Sequence, residues 1–273
     1  MTHGEGASGG RQRILARIDA TRYDARMPLR GLNRPVTILG QSMPMASLVL
    51  IVFVVAGSAF LALSSRLGLP GLSLATLSPY LVVRGQIWRG LTWAFFEFDG
   101  QNLVFGSLML GVVGRDLAAR WGGVRYLLIC GGVAITAGFL TCLTGLVWGS
   151  VYRSQYLSIW PLADALIVAW ALLFPNRTIL FMLMLPAAGR NLLYLTVGMT
   201  GLFAVMYGFS NFVPHFAAMG AMYAYVRFGP LLAARARLKE LLGPKRDTRG
   251  LRGIDGGWNR GERKGPNGSG WVH

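Results

Sequence analysis

Long apolar runs constrain the fold of this chain more than any other feature of its sequence. Hydrophobic residues make up 53% of its 273 residues and charged residues only 14%, a balance too apolar for an ordinary soluble domain. A membrane core of about 30 Å needs about 20 apolar residues in each crossing helix. Six runs approach that length, so we predict an all-α membrane protein with six transmembrane helices. The runs are Met45–Leu63, Asn102–Leu117, Tyr126–Trp148, Tyr156–Phe174, Leu192–Met206 and Phe212–Phe228.

Two connecting segments are predicted not to cross the membrane. Thr178–Pro186 is apolar but too short, which favours an interfacial or re-entrant piece. Leu67–Gly100 joins the first two helices as a large loop. The first 40 residues are polar and Arg-bearing rather than signal-peptide-like, so the first helix is expected to act as its own insertion signal. The two cysteines, Cys130 and Cys142, share the third span and indicate no disulfide framework.

The basic residues predict the orientation of the chain in the membrane. The formal net charge is +16. In a six-span topology, all of the basic residues except four lie on the same side of the membrane. The four on the other side are Arg66, Arg84, Arg89 and Arg153. The positive-inside rule therefore predicts that both termini are cytoplasmic, and we expect a bacterial inner membrane. No nucleic-acid reader motif accompanies the charge, so anionic lipids at the basic tails are the expected counterpart.

The composition divides the chain into three parts. Residues 1–40 form a basic cytoplasmic N-terminal segment, residues 41–230 the membrane domain, and residues 231–273 a basic, Gly-rich cytoplasmic tail. The sequence holds no phosphate loop, metal-ligand cluster or transporter-like inverted repeat, so we expect no cofactor and no metal. Of the three histidines, only His215 falls within the membrane domain.

A motif in the predicted first loop identifies a candidate family. The loop contains Gly85-Gln86-Ile87-Trp88-Arg89-Gly90-Leu91-Thr92 and continues to Phe95. This resembles the Gly-Gln-x-Trp-Arg-x-x-Thr-x-x-Phe signature of the rhomboid and derlin superfamily of intramembrane proteases and their relatives. Trp88 has the amphipathic ring that settles at headgroup depth, and Arg89 can either snorkel or donate several hydrogen bonds that fix the loop at the membrane surface.

Three further segments match the same family in the expected order. They are Gly114-Arg115-Asp116-Leu117 with Trp121-Gly122, then Phe174-Pro175-Asn176, then Phe212-Val213-Pro214-His215. The resemblance covers about residues 35–230 and implies a six-helix rhomboid-like bundle with a large first loop at the membrane surface.

The resemblance also implies that the catalytic serine is missing. Rhomboids use a serine on the fourth helix and a histidine on the sixth, the usual pairing of a nucleophile with a base. Counted back from Phe174, the serine position holds Trp160, followed by Pro161 where the family has glycine. Ser158 lies two residues away, about 200° around a helix, and would point elsewhere unless Pro161 kinks the turn.

The positions that correspond to the oxyanion site differ as well. The resemblance places the family's second-helix histidine and asparagine at Asn102 and Gly106, and an earlier loop histidine at Glu97. Asn102 can still donate, whereas Gly106 has no side chain with which to do so. Since losing one oxyanion donor costs about two to three orders of magnitude in rate, the sequence predicts a pseudoprotease.

Asp164 and His215 are predicted to form a pair. Asp164 lies four residues after Trp160 and therefore on the same face of the fourth helix, at the position whose ring packs on the histidine in the family. Ionisable groups within a membrane need partners. A structural tie and a proton-relay or ligand role both fit this pair.

Several functions stay open from sequence alone. The first is an inactive, derlin-like protein that binds transmembrane helices of other membrane proteins, in client recognition, scaffolding or quality control. The second is a structural subunit of a larger membrane complex, for which small residues of the third span would serve close packing; these are Gly131, Gly132, Ala134, Ala137 and Gly138. The third is an active rhomboid-type protease with Ser158 as a displaced nucleophile. Transport is a fourth function, but one acid and one histidine provide few ionisable groups that could couple it to an ion gradient.

Overall fold

The computed structural model describes residues 30–38, 41–181 and 185–242. The predictions for residues 1–29 and 243–273, which include the basic tails, lie outside the described residues. The chain divides into two compact units, residues 1–230 and 231–273. Apart from the end of the last helix, the features below belong to the first unit.

The described residues are mainly helical. A short 3-10 helix, Arg30–Asn33, precedes the first strand. Within the described residues there are ten α-helices: α1 Met45–Arg66, α2 Gly71–Ala75, α3 Pro79–Val83, α4 Arg89–Thr92, α5 Gly100–Trp121, α6 Gly123–Val147, α7 Gly149–Arg153, α8 Trp160–Leu173, α9 Gly189–Tyr207 and α10 Phe209–Leu242. The same part of the chain holds four strands: β1 Pro35–Ile38, β2 Gln41–Pro44, β3 Thr178–Phe181 and β4 Leu185–Ala188.

Three of the described helices, α1, α5 and α6, are long and apolar enough to cross a membrane. They coincide with the first three predicted spans and indicate a membrane protein. The fourth predicted span corresponds to α8, which is apolar but has only 14 residues. The fifth and sixth fall within α9 and α10. Each of the six runs therefore contains a helix, although the fourth helix begins at Trp160 and not at the predicted Tyr156. Membrane crossing by the last three remains a prediction.

Two short antiparallel hairpins accompany the helices of this mainly helical fold. Strand β1 pairs with β2, and β3 pairs with β4 in the register Thr178↔Ala188. The second hairpin occupies the segment predicted as interfacial or re-entrant. Pairing between strands satisfies backbone N–H and C=O groups that a short extended segment would otherwise leave open.

Helix α8 lies at the centre of the bundle. Every residue from Pro161 to Ala171 is buried, as expected for a helix that is apolar on all sides. It packs against α5, α6 and α9, while α1 packs on α5. Cys130 and Cys142 are both free and buried. The central position of α8 places Pro161 and Asp164, two of the predicted site residues, in the interior.

Candidate functional site

The site is built around the first turn of α8, where Trp160 occupies the position predicted for a nucleophile. Helix α8 begins at Trp160, with Pro161 in its first turn. Proline is tolerated there because the first N–H groups of a helix have no partner within it. The kink considered for Pro161 is therefore absent. Trp160 is half-buried and packs against the hydrophobic core.

The predicted contact between Asp164 and His215 is confirmed. His215 Nδ1 lies 2.7 Å from Asp164 Oδ2, a distance at which the ring N–H donates to the carboxylate. Only 10% of the Asp164 side chain and 16% of the His215 side chain is exposed. The His215 ring also packs on Phe212, with 5.1 Å between the ring centroids. The bond between Asp164 and His215 joins α8 to α10, whereas the ring contact with Phe212 lies within α10.

Ser158 is bonded to a different acid. Its hydroxyl donates to Glu97 Oε2 at 2.7 Å, and Trp160 N donates to Ser158 Oγ at 3.3 Å. Ser158 N in turn donates to the backbone oxygen of Trp93 at 3.2 Å. The serine therefore connects the start of α8 to the end of the first loop rather than to His215.

Glu97 is a buried acid with several donors around it. Its Oε1 accepts from the backbone N–H groups of Phe98 at 3.1 Å and Asp99 at 3.3 Å. Its own N–H donates to Ser58 Oγ at 3.0 Å, in α1. Sequence reasoning missed the Ser158–Glu97 bond. The sequence does show an acid within an aromatic stretch, and such an acid needs a hydrogen-bond partner. It contains too many serines, however, to identify Ser158 as that partner.

The two positions that correspond to the oxyanion site have different environments: Gly106 is buried and Asn102 is exposed. Gly106 is buried, and a Cβ added there would lie 2.5 Å from Ile159 Cγ2. Glycine thus permits α5 to approach the residue that precedes α8. Asn102 is exposed in the first turn of α5, where its backbone N–H donates to Asp99 Oδ1 at 2.8 Å. Gly106 thus serves the packing of α5, and Asn102 lies at the exposed start of the same helix.

The motif of the first loop forms a folded support. Gly85 has a φ of 99° and ends α3. Its N–H donates to the oxygen of Val82 at 3.0 Å, and Gln86 N donates to that of Leu81 at 3.2 Å. This is the Schellman arrangement, in which a left-handed residue favours glycine. The glycine of the motif is thus explained by the backbone.

Arg89 holds the first loop together, as the sequence predicts. It is buried, and its guanidinium donates to Gln86 Oε1 at 2.7 Å, to Thr76 O at 2.7 Å and to Ser73 O. Burial lowers the pKa of the Arg89 guanidinium from its ordinary value. Thr92 Oγ1 adds a bond to the oxygen at the end of α2 at 3.0 Å. Together these bonds fix α4 against the segment that begins the loop.

The loop also packs onto α6 through residues that the sequence offered for intermolecular packing. Trp93 Nε1 lies 3.3 Å from the backbone oxygen of Ala134. A Cβ on Gly138 would lie 2.9 Å from the oxygen of Gly90. Ala137 is fully buried. Three of the five small residues are therefore used within the protein.

One side of this loop is apolar and exposed. Trp88 is 50% exposed and Ile87 is 75% exposed, and Val83 and Leu91 are exposed beside them in sequence. The buried Arg89 between them supplies the rigid attachment. The motif thus combines a fixed backbone with side chains suited to the membrane interface.

The chemistry available at this site differs from that of a serine–histidine dyad. Among the described hydrogen bonds, His215 is bonded to Asp164 and Ser158 to Glu97. A general base has to reach the proton that it removes, and these two bonds direct the histidine and the serine to different partners. Within the described residues, no group of three or more His, Cys, Asp and Glu side chains is placed to hold a metal ion.

Comparison with models of known protein families and with curated proteins finds no match for this chain.

Proposed function

We propose that this chain is a catalytically inactive, rhomboid-like membrane protein whose six helices form a bundle that binds transmembrane helices of other membrane proteins. The observation that carries the proposal is the 2.7 Å contact of His215 with Asp164, one turn along α8 from Trp160. A carboxylate bonded to Nδ1 also orients the histidine in catalytic triads, but here the serine position holds Trp160, which has no hydroxyl for the histidine to activate.

The first loop supports a role in helix binding. Its backbone is fixed by Arg89, while Ile87 and Trp88 remain exposed. Apolar side chains at headgroup depth disturb the order of nearby lipid and provide contact area for an entering helix. The same feature suits client recognition, scaffolding or quality control.

The proposed setting is a bacterial inner membrane with both termini in the cytoplasm. Three arginines, Arg115, Arg120 and Arg125, lie near the junction of α5 and α6. The positive-inside rule assigns such a junction to the cytoplasmic side. The first loop then lies on the opposite side, where the Arg89 guanidinium donates hydrogen bonds to neutral oxygens of the loop itself.

Two alternatives receive less support from the contacts. A structural subunit that docks through α6 would need its small residues free, but Ala134, Ala137 and Gly138 are occupied by the protein itself. An active protease of the serine–histidine type would need His215 as the base at Ser158, but the Ser158 hydroxyl donates to Glu97 and His215 is bonded to Asp164.

Photocrosslinking in lipid nanodiscs tests client binding. The full chain, with a photoreactive residue at Ile87, is mixed with a panel of single transmembrane helices and their scrambled counterparts. We expect crosslinks above the scrambled control, reduced several-fold by Trp88→Ala. Trp148→Ala is the matched control, because Trp148 is a tryptophan of similar exposure, 44% against 50%, at the end of α6. Equal crosslinking of native and scrambled helices would contradict the proposal.

A fluorophosphonate probe tests the remaining enzymatic alternative. We expect no labelling of the full chain in membranes. Labelling that disappears in Ser158→Ala but persists in Ser154→Ala would instead establish Ser158 as a nucleophile. Ser154 is a suitable control because its hydroxyl donates to a backbone oxygen in the neighbouring helix α7.

A further inference from the structure

A cavity of about 750 Å³ lies at the other end of the bundle from the first loop. Its charged lining residues are Arg115 and Asp116, in the last turns of α5, and Arg177, which precedes β3. Two arginines against one aspartate give the lining a net positive charge. The volume falls within the range of small-molecule sites, about 300–1,000 Å³.

The guanidinium of Arg177 is held in place from two directions. Its Nη1 donates to Asp116 Oδ2 at 3.0 Å, and its Cζ lies 5.1 Å from the centroid of the Phe174 ring. The same carboxylate oxygen accepts from Trp170 Nε1 at 3.0 Å, and Arg115 Nε lies 3.6 Å from its other oxygen. Both carboxylate oxygens of Asp116 are thus in contact with side chains of the protein. The carboxylate therefore holds the Arg177 guanidinium in position.

Arg177 nevertheless keeps a large accessible surface. Its side chain is 60% exposed, and a guanidinium carries five N–H donors in a planar fork. Phosphate oxygens match this fork and can accept two bonds at once. Thr178, also in the lining, adds a hydroxyl donor. Arg120 lies close by, with its Cζ 5.4 Å from the same Phe174 ring, and increases the positive potential.

The cavity is located at the ends of the helices that can cross the membrane. Pro44 immediately precedes α1, and Gly122 separates α5 from α6, and both line the cavity. The ends of such helices lie at the depth of lipid headgroups. Apolar side chains of Ala118, Ala119 and Ile179 complete the lining and suit the glycerol backbone of a lipid better than they suit a free ion.

We infer that this cavity binds the phosphodiester headgroup of an anionic glycerophospholipid, with Arg177 as the main phosphate contact. Basic pockets between membrane helices at the cytoplasmic surface are suited to such headgroups. The site uses none of the residues of the first loop, and it does not depend on the proposed binding of client helices.

Native mass spectrometry of the detergent-solubilised full chain tests this inference by titration with phosphatidylglycerol and phosphatidylcholine. We expect the tightest adduct to form with phosphatidylglycerol, and Arg177→Gln to weaken it about tenfold or more, as expected for loss of charge-assisted hydrogen bonds. Arg227→Gln is the matched control. It removes the same charge from α10, two residues beyond Tyr225, whose hydroxyl accepts from Arg125 at the start of α6. We expect this control to change the affinity less than twofold.

A second variant guards against misfolding of Arg177→Gln. Ala119 is an exposed lining residue, so Ala119→Trp fills the cavity without removing charge, and it should also weaken the phosphatidylglycerol adduct about tenfold. Equal affinities in Arg177→Gln and Arg227→Gln, or unchanged affinity in Ala119→Trp, would overturn the inference. Equal binding of phosphatidylcholine, or displacement of the lipid by inorganic phosphate at the same concentration, would exclude an anionic lipid as the ligand.

Discussion

The contact between Asp164 and His215 allows a quantitative test by a double-mutant cycle. Asp164→Asn keeps the shape of the side chain and an oxygen acceptor but removes its charge, whereas His215→Ala removes the ring. With 2.7 Å between Nδ1 and Oδ2 and side chains 10% and 16% exposed, the bond belongs to the charge-assisted class, which contributes about 1.5–3 kcal/mol.

The two single variants should destabilise the protein unequally. His215→Ala leaves the carboxylate buried without its donor and removes the packing on Phe212, so we expect a loss of about 3–5 kcal/mol. Asp164→Asn retains a neutral hydrogen bond and should cost about 1 kcal/mol. In the double variant the unpaired charge is gone, so the combined loss should fall about 2 kcal/mol below the sum of the single losses.

Unfolding of the full chain in mixed detergent micelles, followed by circular dichroism, measures these free energies. Asp99→Asn combined with His215→Ala is the control cycle, because Asp99 caps α5 through Asn102 N and should be additive with His215 to within about 0.5 kcal/mol. If the free-energy losses of Asp164→Asn and His215→Ala also added to within about 0.5 kcal/mol, the argument that the pair is a structural bond would be refuted.

Two further predictions concern the supports of the site. Arg89→Lys should destabilise the first loop by about 3 kcal/mol, since a lysine cannot reproduce the fork that contacts several acceptors; limited proteolysis of the loop should accelerate, whereas Arg84→Lys, at an exposed position, should not accelerate it. Gly106→Ala should cost about 1–3 kcal/mol of unfolding free energy because of its clash with Ile159. Gly132→Ala, where nothing lies within 4 Å, should be neutral or stabilising, and equal losses in both glycine variants would contradict this account.

The sequence predicts those features that follow from local spacing. The apolar runs locate all six long helical segments, and the four-residue spacing from Trp160 to Asp164 identifies the face that meets His215. Arg89 is predictable as a loop anchor because an arginine in an apolar segment needs acceptors. In each of these cases, the type of residue and its position already limit the available partners.

Features that depend on the meeting of distant loops were not predictable. The bond from Ser158 to Glu97 joins residues 61 positions apart, both outside helices, and their approach depends on how α5 and α8 are packed. The close contact of Gly106 with Ile159 has the same origin. The hairpin of β3 and β4 was missed because a short apolar segment fits an interfacial piece equally well by composition.

The burial of α8 also has a consequence for biosynthesis. Synthesis proceeds from the N-terminus, so Asp164 is made 51 residues before His215. Until that point α8, whose 14 residues extend about 21 Å, is too short to match a hydrocarbon layer of about 30 Å and carries an acid without its histidine. The nascent chain must therefore keep α8 sheltered among α5, α6 and the translocation machinery until α10 emerges. A chain that ends before His215 should be recognised and degraded as an incompletely assembled membrane protein.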